Sequence, residues 1–79
     1  MVHELKVWID YYKDIENGSK KFELRFNDRN FQVGDTLHLR EYNHIDNYYT
    51  GKDVTKEVGY ILDDTKFGLK DGWIVMGLI

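Results

Sequence analysis

Between residues 18 and 26 the chain reads GSKKFELRF, and four of these residues are of kinds that can hold a polar ligand. Gly18 permits a tight turn. Lys20 offers an ammonium, Glu23 a carboxylate and Arg25 a planar guanidinium fork. On a regular strand Glu23 and Arg25 project from one face, ~7 Å apart at their Cα atoms, so their side chains can meet. Lys20 stands three residues before Glu23 and falls on the opposite face of an ideal strand. It joins the other two only if it belongs to the turn after Gly18, where the alternation does not yet hold. Spacing alone leaves two readings open. In one, Lys21, Glu23 and Arg25 form a solvated charged face that discourages pairing with other chains. In the other, Lys20, Glu23 and Arg25 converge on a ligand.

The surrounding elements must position these groups in either case. Residues 3–9 alternate, with His3, Leu5, Val7 and Ile9 on one side and Glu4, Lys6 and Trp8 on the other, the period of a half-buried strand. Asp10 is placed to cap a short helix running through Asn17, with Tyr11 or Tyr12 and Ile15 on one stripe and Gly18 as its left-handed stop. A second strand, Lys21 to Phe26, has a greasy face (Phe22, Leu24, Phe26) and a charged one. After the polar turn 27–30, Phe31, Val33, Gly34 and Asp35 make an anchored corner before a third strand, Thr36 to Tyr42, with Leu37 and Leu39 inward.

Asn43 to Gly51 reads as the longest irregular loop, and such loops in small domains often carry function. Val54 to Leu62 predicts a fourth strand with Val54, Val58, Tyr60 and Leu62 in phase. Trp73 to Leu78 is apolar on both faces, as in a central strand or one that closes a barrel. The expected fold is therefore one mostly β (α+β) domain over 1–79: an open, mainly antiparallel barrel of about five strands with one short helix after the first.

Composition narrows the function classes. Seventy-nine residues without a single cysteine leave no disulfide framework or thiolate metal site, so four Phe, six Tyr and two Trp must supply the packing. Trp8 and Trp73 read as core or rim. A net charge of −3 opposes broad, salt-driven binding to long nucleic acid but leaves room for a local basic site. The longest apolar run, WIVMGLI, is shorter than the ~20 residues of a membrane helix, and no signal peptide is recognisable. The expectation is a soluble, cytoplasmic monomer with no membrane partner.

Other candidates are weaker. His3, His38, His44 and Asp46 match no ligand spacing of a known metal motif, so no metal and no cofactor is expected. Tyr48 and Tyr49 could stack on bases or plug the barrel mouth. Arg29 is a plausible phosphate contact, and Arg40, next to Glu41, is more simply a surface charge. No phosphate loop, nucleophile elbow or Ser/His/Asp arrangement is present.

The string Gly18-x-Lys20-x-x-Glu23-x-Arg25 resembles the signature of ASCH domains within the PUA-like superfamily. The flanking text agrees along nearly the whole chain: His3-Glu4-Leu5-Lys6, the Asn27-Asp28-Arg29 turn, Phe31-x-Val33-Gly34-Asp35, Leu37-x-Leu39-x-Glu41, and Gly72 and Gly77 around the last strand. Together these are similar to a small ASCH-like family of bacteria and phages. The resemblance implies a PUA-like open barrel whose helix-side cleft binds RNA or a modified nucleotide, with Lys20 facing a phosphate or base carbonyl. Glu23 would orient Lys20 or accept from a base amino group, and Arg25 would hold a phosphate or base edge. Gly18, Lys21, Arg29, Tyr48 and Tyr49 complete the candidate set.

Some small ASCH proteins are amidohydrolases that deacylate a modified cytidine, using a lysine with a threonine three residues later. Here that position is Glu23, and a carboxylate beside the lysine favours its charged form, a poor base or nucleophile. If the chain is an enzyme, Lys20 and Glu23 are the catalytic candidates. A third class is a protein-interaction module that meets its partner through Tyr48 and Tyr49.

Overall fold

The computed structural model describes all residues from Met1 to Ile79. Strand β1 (Val2–Trp8) leads directly into helix α1 (Ile9–Glu16), followed by β2 (Phe22–Phe26), β3 (Thr36–Asn43), β4 (Tyr48–Leu62), a single 3₁₀ turn (Thr65–Phe67) and β5 (Trp73–Leu78). The five strands make one mixed sheet in the order β1-β3-β4-β5-β2. β1 and β3 run parallel, and the other three pairings are antiparallel. The sheet is not a closed barrel, because its edge strands β1 and β2 share no backbone ladder.

The helix begins two residues earlier than the Asp10 cap implies. Trp8 occupies the N-cap without a side-chain bond, and Asp10 sits inside the first turn, where its charge complements the helix dipole. At the other end Gly18 takes φ +84° and donates its N–H to the Ile15 carbonyl, which ends the helix as its sequence suggests. Tyr12 and Ile15 are the helix's buried residues. They join Leu5, Val7, Phe31, Leu37, Leu39, Val58, Ile74, Met76 and Leu78 in one core. Burial and the neighbouring Glu16 carboxylate push the Tyr12 phenol up to about 12.

Two expectations are corrected, and one open choice is resolved. The stretch 43–51 is no long loop: β4 already starts at Tyr48, leaving a tight hairpin turn. The Asn43 side chain accepts from the Ile45 and Asp46 N–H groups, and Asn47 adopts φ +59°, so local Asn chemistry closes the hairpin. Next, Val54, Val58, Tyr60 and Leu62 do not share a face. The β4–β5 register shifts between Val58 and Tyr60, so Val58 is fully buried while Tyr60 and Leu62 are exposed and Ile61 packs on the core. The open choice is the facing of β2, whose greasy face points outward. Phe22, Leu24 and Phe26 are about half exposed, and Glu23 is buried at 6%. β2 is an edge strand, and its inward row lies beside Met76 and Ile74, the partners of Glu23 and Arg25.

The corner before β3 is anchored by Asp35 rather than by Val33, which is exposed. Asp35 accepts from the Gln32 N–H at 3.0 Å and from the chain's terminal ammonium at 3.2 Å, and pairs with His3 Nε2 at 2.8 Å. The His3 bond, then the Gln32 N–H, hold its carboxyl down at about 2. A carboxyl depressed in the folded state stabilises it above its ordinary value of 3.8, and that contribution is lost as pH falls through about 2. Thermal melts of Asp35→Asn should therefore start lower at neutral pH and fall less steeply than wild type between pH 4 and 2. Parallel curves would show that this corner does not couple to protonation.

Candidate functional site

The turn after Gly18 brings Lys20 round to the inward face of β2. Its N–H reaches back to the Asp14 carbonyl, so the segment still belongs to the helix end and escapes strand alternation. Lys20 Nζ donates to Glu23 Oε1 at 3.1 Å and to the Phe22 carbonyl at 2.8 Å; Arg25 Nε donates to Glu23 Oε2 at 2.7 Å. One carboxylate thus gathers two cations, and the group carries a net positive charge. Burying Glu23 is tolerable because both of its oxygens are paired.

These residues border a cleft of about 680 Å³ between the two sheet edges. Leu5, Val7 and Phe31 give it an apolar floor, and Phe22, Leu24 and Phe26 form the β2 lip. Arg25 spans the gap by donating a second nitrogen, Nη2, to the Lys6 carbonyl of β1, and Arg29 donates Nη1 to the Glu4 carbonyl at 2.6 Å. Arg25 Nη1, two nitrogens of Arg29 and the third Lys20 proton make no bond to the protein. The cleft therefore offers unspent donors on one side and aromatic surface on the other, the combination that suits a planar ring carrying an anionic group.

Of the residues singled out from sequence, Lys20, Glu23, Arg25 and Arg29 come together in this cleft. Gly18 and Lys21 border a smaller neighbouring hollow with Lys56. Tyr48 and Tyr49 lie elsewhere, on the hairpin strand β4. The Tyr49 ring is covered by the Arg40 guanidinium, 3.9 Å from its centroid, and meets Tyr42 edge-on. Arg40 also pairs with Glu4 at 2.6 Å, and this contact holds the Glu4 carboxyl below its ordinary range. The histidines are dispersed: His3 is bound to Asp35, His38 to Asp53, and His44 is stacked on Trp8 at 3.8 Å.

Among the cleft residues that sequence reasoning did not single out are Lys6, Trp8, Tyr11 and Asp28. Trp8 carried a readable signal, a large aromatic on the otherwise polar side of β1. Tyr11 carried none, because its approach to the cleft depends on how α1 packs.

Residues 2–78 match the family described as Domain of unknown function (DUF3850). Over 62 residues the chain is 34% identical to the "Uncharacterized 12.9 kDa protein in GpA 3'region" of Escherichia phage P2. That match covers 78% of this chain and 55% of the phage protein, so the chain spans about half the length of its relative. No helix is long and apolar enough to cross a membrane. With nearly every residue matched, the chain belongs to the DUF3850 family.

Proposed function

We propose that this domain binds a nucleotide or a short single-stranded RNA segment in the cleft between β1 and β2, and that its fold is an ASCH-type, PUA-like open barrel acting in the cytoplasm. One observation carries the reading: Glu23, buried in the cleft wall, holds the Lys20 ammonium and the Arg25 guanidinium side by side. A decorated strand edge would leave these heads splayed into water. The base would lie against Trp8, Tyr11 or Phe22, and the phosphate would meet the free donors of Arg25 and Arg29. Deacylation of a modified cytidine has less support, since Lys20 Nζ is already engaged by Glu23 and the Phe22 carbonyl.

The test is titration of short single-stranded RNA and nucleoside monophosphates at two salt concentrations, with wild type and the Lys20→Ala/Arg25→Ala double variant. Charge-assisted bonds of ~1.5–3 kcal/mol predict a loss of affinity of ~10-fold to ~100-fold or more. About two phosphate contacts predict a shallow salt slope, near −1.4 on logarithmic axes. Equal binding by both proteins, or binding by neither, rejects the reading. Acetylated cytidine in the same series, followed by mass, decides the deacylase alternative.

A further inference from the structure

The outside of the sheet is of two kinds. Over β1, β3 and the first part of β4 it is polar and paired, with Glu4 bonded to Arg40 and His38 to Asp53, both at 2.6 Å. Beyond the register shift in β4 it becomes apolar without interruption. Three cross-strand rows run from β2 through β5, the first two reaching β4: Phe22–Gly77–Tyr60, Leu24–Val75–Leu62 and Phe26–Trp73. Tyr60 is 67% exposed, and the other large side chains of these rows, the half-buried Val75 apart, lie between 38% and 50%. Glycine at 77 keeps the first row low beside Tyr60. Gly72 lets Phe26 lie against the backbone, where a Cβ would stand 2.5 Å from Phe26 Cε1.

We propose that this face of β2, β5 and β4 is the interface through which two copies of the chain form a symmetric dimer. The area fits: four half-exposed aromatic side chains and two leucines offer about 600 Å² per copy, near the ~800 Å² per partner of a specific interface. It stands at the top of the range for the largest apolar patch on a monomer. The chemistry fits a second copy as well. None of the three rows contains a charge, so the face gives a charged partner no handle, whereas apolar rows are complementary to themselves under a two-fold rotation. Two such sheets stack ~10 Å apart with interdigitating side chains. The dimer replaces the monomer expected from sequence; Phe22, Leu24, Phe26 and Trp73 of this face also border the cleft, whereas Tyr60 and Leu62, the positions varied below, lie outside its lining, so loss of the dimer and loss of the ligand site are separable.

Sedimentation equilibrium of the full chain from ~1 to ~200 µM, the range where an interface of this modest size associates, tests this directly. The expected result is a mass moving towards twice the 9.5 kDa of one chain as concentration rises. Tyr60→Glu and Leu62→Glu, each made singly, should remain at the single-chain mass with unchanged circular dichroism. If both variants fail to fold, acrylamide quenching of wild-type tryptophan across the same dilution series takes their place, and it should increase where the mass falls as Trp73 becomes wet. A wild type that keeps the single-chain mass throughout overturns the proposal. So do folded variants that still dimerise, or quenching that ignores dilution.

Discussion

Glu23→Ala is expected to lower the unfolding midpoint by about 10 °C or more. Removing one partner of a buried ionic group costs ~3–5 kcal/mol when burial is complete. Here Lys20 and Arg25 keep 19% and 28% of their side chains exposed and can partly rehydrate. A figure reduced for that rehydration to ~2 kcal/mol, at ~4–8 °C per kcal/mol for a domain this small, gives a shift of ~8–16 °C. The variant also leaves two cations facing each other without their shared anion. Added phosphate should therefore raise the melting temperature of Glu23→Ala more than that of wild type, compared with chloride at matched ionic strength. A variant that melts like wild type, or gains nothing from phosphate, would mean that Glu23 does not organise the cleft.

Leu37→Ala should cost more still. Leu37 is fully buried on β3, flanked by His3 of β1 and Lys56 of β4. A buried leucine cut to alanine loses ~2–5 kcal/mol through lost transfer energy and the cavity left behind. A chain of this length holds only ~4–12 kcal/mol in total. With eleven core residues and no cysteine to brace them, the variant should be substantially unfolded at 37 °C. Leu24→Ala, on the half-exposed cleft lip, should cost less than ~1 kcal/mol. Urea titrations of the two variants read this difference, and equal midpoints would refute the inside–outside assignment of β2 and β3.

That assignment marks the limit of what the sequence discloses. Period-two alternation finds β1, β2 and β3 because each strand has one row in the core or at its edge, and β5 is found instead as a short run apolar on both faces. The helix end is legible within a residue, since Gly18 is the strongest local stop, while its start lies two residues before the cap read at Asp10. The facing of β2 is another matter: alternation shows that Glu23 and Phe22 point opposite ways, and only the packing against Met76 and Ile74 shows which points in. β4 is misread twice for local reasons, the Asn43 turn shortening the loop before it and the shift near Gly59 reversing its parity. Lys20, Glu23 and Arg25 could be grouped from sequence because they share one turn and one strand. Lys6, Trp8 and Tyr11 could not, because they reach the cleft across the gap between two edges that are distant in the chain.

That gap has a mechanical meaning. A sheet joined to itself by a backbone ladder has to break several bonds together before the joint parts. Here the joint is two stitches, the Arg25 and Arg29 side chains on the Lys6 and Glu4 carbonyls, and each can be undone alone. An anion held by the nitrogens that Arg25 and Arg29 leave free would keep both stitches in place and tie the two guanidinium groups together, so occupation would brace the seam. The edge of β1 should then exchange its amide hydrogens more slowly in the occupied molecule than in the empty one, and a faster exchange would mean that the anion displaces the carbonyls.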